Sequence, residues 1–146
     1  MPSKEALKAA IHAAFDSVVP NGPSYTKVYG AEIKQQNFIV FRRTTISNFA
    51  IGFQPGRTDL VIVPLDENNG TVTAGSPLTI TDANRAMVKK RDLQGRFVIK
   101  TTDGQTFKLS VIPSVPKITA AFYQLPVDQK AEYDAFVALR DTLTAA

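Results

Sequence analysis

The chain has 146 residues, a net charge of +4 and no cysteine. That length fits a single domain, 1–146, able to bury roughly two-thirds of its unfolded surface. The absence of cysteine excludes disulfides and thiolate metal sites, and no apolar run approaches the length of a membrane span.

The first predicted element is a helix over about 3–19. Leu7, Ile11, Ala14, Phe15 and Val18 recur at helical spacing, with Lys4, Glu5, Lys8 and Asp16 mostly elsewhere. Ser3 suits the N-cap, and the run Pro20, Asn21, Gly22, Pro23 ends the pattern. Lysines and polar residues interrupt this stretch, so it has no signal-peptide core, and a cytoplasmic, soluble protein is expected. Its polar face lacks the basic excess of a membrane-surface helix, so packing on its own domain is expected.

Strands fill the next region, about 24–112. Residues 25–33 are β-compatible, with Gly30 as a bulge or bend. Phe38, Ile39, Val40 and Phe41 are apolar on both faces, as in a strand covered on both sides. Phe49, Ile51 and Phe53 alternate with Ala50, Gly52 and Gln54. Pro55-Gly56 marks a turn, 60–63 the next strand, and 66–70 a polar loop. Val72 and residues 78–81 form shorter strands, Asp82 caps a single helical turn, and 87–90 is a further strand.

The last hairpin is the most specific expectation. Phe97 and Ile99 alternate with Arg96, Val98 and Lys100, while Phe107, Leu109 and Val111 alternate with Lys108 and Ser110. A two-residue loop on Asp103-Gly104 would pair Phe107 with Lys100. A three-residue loop over 102–104 pairs Phe107 with Ile99 and Leu109 with Phe97, so apolar side chains share a face. The second register is predicted, with Gly104 in the left-handed conformation. A closing helix over about 127–144 starts near Pro126 and Asp128. Tyr133, Phe136, Val137, Arg140 and Leu143 make its stripe, the alkyl stem of Arg140 lying on apolar surface.

The order helix, about seven strands, helix defines an α+β, mainly β, class. The run Ala86-Met87-Val88-Lys89-Lys90, then Gly95, then Phe97-Val98-Ile99-Lys100-Thr101, Asp103-Gly104 and Phe107-Lys108-Leu109 resembles the bacterial PH-like domain of uncharacterised Gram-positive proteins. The resemblance covers about a quarter of the chain. It implies a pleckstrin-homology-like antiparallel β-barrel with a C-terminal capping helix, a fold more than a function, since the same barrel binds lipids, peptides and proteins or serves as an assembly module. The chain has no tryptophan for that helix, and Lys27 and Lys34 stand apart, without the basic cluster of phosphoinositide readers.

Charge gives the other clue. From Arg85 to Lys108 there are seven basic and two acidic residues, a local net of +5. Arg85, Lys89, Lys90, Arg91, Arg96 and Lys100 are the candidate anion-binding residues, with Arg42 and Arg43 elsewhere. Alternation is expected to spread them over opposite faces, where edge lysines would act against aggregation.

Tyr25, Tyr29 and Phe38 are the candidate stacking residues for a nucleic acid, although most phenylalanines fit core positions. His12 is the single imidazole, beside Ile11 in the first helix, and no Ser-His-acid or Cys-His set can be built without it. Asp59, Asp66 and Glu67 lie in or near turns, and 66–70 lacks the ligand pattern of a calcium loop. No enzyme, metal or cofactor is expected.

The function expected first is protein binding or self-association, with Val115, Ile118, Phe122, Tyr123 and Leu125 as an apolar surface. Electrostatic binding of anionic lipid head groups or nucleic acid through 85–108 is the alternative. A carrier role would need an interior cavity, which an aromatic-filled barrel does not leave.

Overall fold

A computed structural model of the chain describes residues 4–37, 42–54, 56–68, 71–90, 95–111 and 129–145. Ser3, the apolar run 38–41, Pro55, Arg91, the segment 112–128 and its proposed apolar surface all lie outside these residues. The elements are α1 (Lys4–Val18), β1 (Thr26–Asn37), β2 (Arg42–Phe53), β3 (Leu60–Asn68), β4 (Thr71–Ala74), β5 (Leu78–Ile80), β6 (Arg85–Lys90), β7 (Gly95–Thr101), β8 (Thr106–Val111) and α2 (Lys130–Ala145).

The class is α+β, mainly β. Every pairing is antiparallel, in the order β4-β3-β2-β1-β8-β7-β6, with β5 added on β3. Among the described residues there are eight strands where about seven were expected, and the two short ones after β3 form as β4 and β5. Among the described residues the sheet is open, with β4 and β6 at its ends.

Alternation along the strands makes two cores on opposite faces of this sheet. On one, Leu7, Ile11, Ala14 and Phe15 of α1 pack on Tyr29, Ala31, Ala50, Val61, Val63 and Leu65. The first helix therefore packs on its own chain, as its apolar stripe requires. The other core gathers Val28, Ile51, Phe53, Ile62, Ile80, Phe97, Ile99 and Leu109, and Phe136 of α2 closes on it. Its ring stands 5.2 Å from Phe97 and 6.1 Å from Phe53.

Four local expectations change. Gly30 is not a bulge: the β1–β2 register runs unbroken through the pair Gly30 and Phe49. The polar stretch at 66–68 extends β3 and pairs with β4 rather than looping. Asp82 does not cap a helical turn; its carboxylate instead accepts from Thr58 and Arg85, while Thr81 and Asn84 hold the 82–84 turn. Arg140 buries its head as well as its stem, with 2% of the residue exposed, its guanidinium donating to Asp141 at 3.2–3.3 Å.

Candidate functional site

The β7–β8 hairpin adopts the expected register. Phe97 pairs with Leu109 and Ile99 with Phe107. The Thr101 carbonyl accepts from Gly104 N–H at 3.1 Å, and Gly104 takes φ of 91°, a value that favours glycine. Asp103 accepts from the Thr101 hydroxyl and the Gln105 N–H, which holds its carboxyl below the usual range.

That register decides where the lysines go. With Phe97, Ile99 and Leu109 turned to the core, Lys89, Val98 and Lys108 form one row across β6, β7 and β8. Met87, Lys100 and Thr106 form the next. Cross-strand partners share a face, so Lys89, Lys100 and Lys108 project from the same side. All three are exposed, and Lys89 and Lys108 are roughly 10 Å apart, the spacing of two strands. Met87 lies among them and is 41% exposed. Neither row contains an acid; among the described residues Asp103 lies in the turn, and the buried Glu32 accepts from the Lys108 backbone N–H at 2.9 Å.

Of the expected anion set the register brings Lys89 and Lys100 to this face, while Lys90, opposite core Phe97, falls on the other, so alternation divides the set as expected. A register irregularity between Arg85 and Met87 changes the count along β6 and sets Lys89 beside Val98. Arg85 itself leaves the group. It pairs with Thr101, bridges to Asp82 and donates to the Thr58 carbonyl at 3.2 Å. The Arg85 hydrogen bond, then that of Thr58, lowers the Asp82 pKa. Lys90 stands opposite Phe97 and Arg96 opposite Ser110 in the register, and Arg42 and Arg43 start β2 opposite Asn37 and Gln36. Lys108 was absent from the candidate set, although the hairpin register alone sets it beside Val98.

A second charged group joins α1, β1 and α2. Lys8 meets Glu132 at 2.6 Å, and Lys27, 6% exposed, meets Asp16 at 2.7 Å with its ammonium 5.7 Å from the Phe15 ring centre. His12, one turn from both Lys8 and Asp16, has its pKa lowered, first by burial and then by Lys27 and Lys8, against opposing pulls from Glu132 and Asp16. Burial raises the Glu132 pKa, but its bond to Lys8 and further favourable contacts bring it below the usual range. Each acid here is matched to a lysine, so the group ties the two helices to the sheet.

The candidate stacking residues are not platforms. Tyr29 is 2% exposed and donates its hydroxyl to Asn48, and Tyr25 sits edge-on to Phe15 at 5.6 Å; Phe38 is outside the described residues. Among the described residues no group of His, Asp and Glu could hold a metal, and no helix is long and apolar enough to cross a membrane. Comparison with known protein families, curated proteins and solved structures gives no match.

Proposed function

We propose that the chain is a non-enzymatic interaction module on the PH-like plan, and that its β6–β8 face docks an acidic surface of a partner protein. What carries this reading is the convergence of exposed Lys89, Lys100 and Lys108 around Met87 on one sheet face. The barrel plan is supported by one interior to which β1, β2, β3, β5, β7 and β8 all contribute, with α2 following the last strand and covering it through Phe136.

A protein partner fits better than a phosphate. Lysine offers a point charge, without the planar fork that suits bidentate phosphate recognition. Methionine adapts to varied apolar surfaces and is frequent at protein-binding sites. Exposed ring platforms, which single-stranded nucleic acid uses, are not offered by Tyr25 or Tyr29. The same three lysines nevertheless give anionic head groups a second reading.

The test uses the purified chain with poly-L-glutamate, phosphatidylserine vesicles and a single-stranded oligonucleotide at low and high salt. Binding to poly-L-glutamate that weakens with salt is expected, because exposed charges are screened. Preference for vesicles or oligonucleotide would move the function to the second reading. Light scattering after size exclusion reports self-association, whose persistence at high salt would reveal an apolar dimer instead.

A further inference from the structure

A cleft of about 400 Å³ opens between α2 and the turn joining β2 to β3. That volume lies in the range of small-molecule sites. Ala135, Ala138, Leu139 and Thr142 form its helical wall, at the spacing of one helix face. Two alanines there leave room that larger side chains would fill. Phe53 contributes to the floor, and Gln54, Gly56, Arg57 and Thr58 form the opposite wall.

That wall is held in place from three sides. Gln54 donates to the Ser24 hydroxyl at 2.8 Å, and Arg57 N–H closes the turn on the Gln54 carbonyl at 3.2 Å. Thr58 donates to Asp82 at 3.0 Å, while Arg85 donates to the Thr58 carbonyl at 3.2 Å and bridges back to Asp82. Arg85 therefore acts as a brace for the cleft. A site ordered before binding loses less entropy when it is filled.

Charge selects the occupant. Arg57 is the one ionisable residue lining the cleft among the described residues. Its side chain is 64% exposed and meets Asp59, which does not line the cleft, only at 3.4 Å. Such an exposed pair is weak, and a guanidinium carries five N–H donors, enough to keep Asp59 and take a second acceptor.

The geometry points to this cleft as a binding site for a medium-chain aliphatic carboxylate, its chain along Phe53, Ala138 and Leu139 and its head group on Arg57. The site is separate from the lysine face and does not depend on the function proposed for it.

Octanoate and 1-octanol are the probes, titrated into the whole ¹⁵N-labelled chain. Octanoate is expected to shift the amides of Gln54, Gly56, Thr58, Ala138 and Leu139 saturably. Arg57→Gln and the swap to 1-octanol should each weaken binding about tenfold, the loss of one charge-assisted hydrogen bond. Ala138→Phe, at an exposed helix position, should abolish binding while the rest of the spectrum is retained. The inference is overturned if these amides do not saturate, if Ala138→Phe binds normally, or if 1-octanol binds as tightly as octanoate.

Discussion

The side-chain amide of Gln129 pairs with the backbone of Tyr29 as a neighbouring strand would. Its Oε1 accepts from Tyr29 N–H at 2.7 Å and its Nε2 donates to the Tyr29 carbonyl at 2.9 Å, both bonds buried. Among the described residues Ala31 pairs with Ser110 between β1 and β8. Glu32, accepting from Lys108 N–H, and Gln129, bonded to Tyr29, add side-chain bonds to β1 on either side of that pair. Gln129 also precedes α2 and accepts the Tyr133 N–H at 2.7 Å, so the closing helix is anchored to β1 at its first turn.

Gln129→Ala should therefore leave a buried donor and acceptor of Tyr29 without these bonds. Each unsatisfied group costs about 1–3 kcal/mol. Urea unfolding should show a loss of at least that size, and hydrogen exchange should show the Tyr29 amide losing protection. An unchanged Tyr29 exchange rate would mean the amide bridge contributes little.

Gly52 and Gly104 should respond to alanine for different reasons. A Cβ on Gly52 would lie 2.2 Å from the Phe15 ring, so α1 must shift on the sheet. Overpacking of that kind costs about 1–3 kcal/mol. A Cβ on Gly104 meets nothing within 4 Å, yet its φ of 91° strains an L-residue, a penalty of about 1–2 kcal/mol. Thermal melts should show both losses, with chemical shifts spreading into α1 for Gly52→Ala alone.

Stability should fall with acid in two windows. The folded His12 pKa lies below its unfolded value of about 6.5. The unfolded chain then binds more protons between the two, so stability drops as pH falls from about 6.5 through the folded value and then levels. Glu132, also lowered, stabilises the fold above its unfolded pKa and loses that contribution as pH falls through its folded one. His12→Gln should flatten the upper window, and Glu132→Gln the lower. Urea midpoints measured from about pH 2 to about pH 7 span both windows; parallel profiles for wild type and His12→Gln would contradict the first.

Much of the fold is legible from local pattern. The α1 stripe, the alternation around Phe49, Ile51 and Phe53, and the hairpin around Gly104 each carry a period and a turn, and each forms as the pattern requires. Non-local relations are not legible in this way. Nothing around Gln129 marks it as a partner for a strand 100 residues earlier. Gly52 reads as an isolated glycine until Phe15 is brought over it. For the candidate site, alternation within β7 correctly sets Lys100 opposite the core, but the irregularity at Arg85 and Met87 is invisible to a count of twos. The grouping of Lys89, Lys100 and Lys108 follows only when three strands are in register.

The triple variant Lys89→Glu, Lys100→Glu, Lys108→Glu tests the docking face most directly. In an amide-shift titration with poly-L-glutamate at low salt, the wild type should show perturbations confined to β6, β7 and β8, and the variant none, with its thermal melt retained. Equal binding by the variant, or wild-type perturbations elsewhere on the chain, would contradict a partner-binding role for this face.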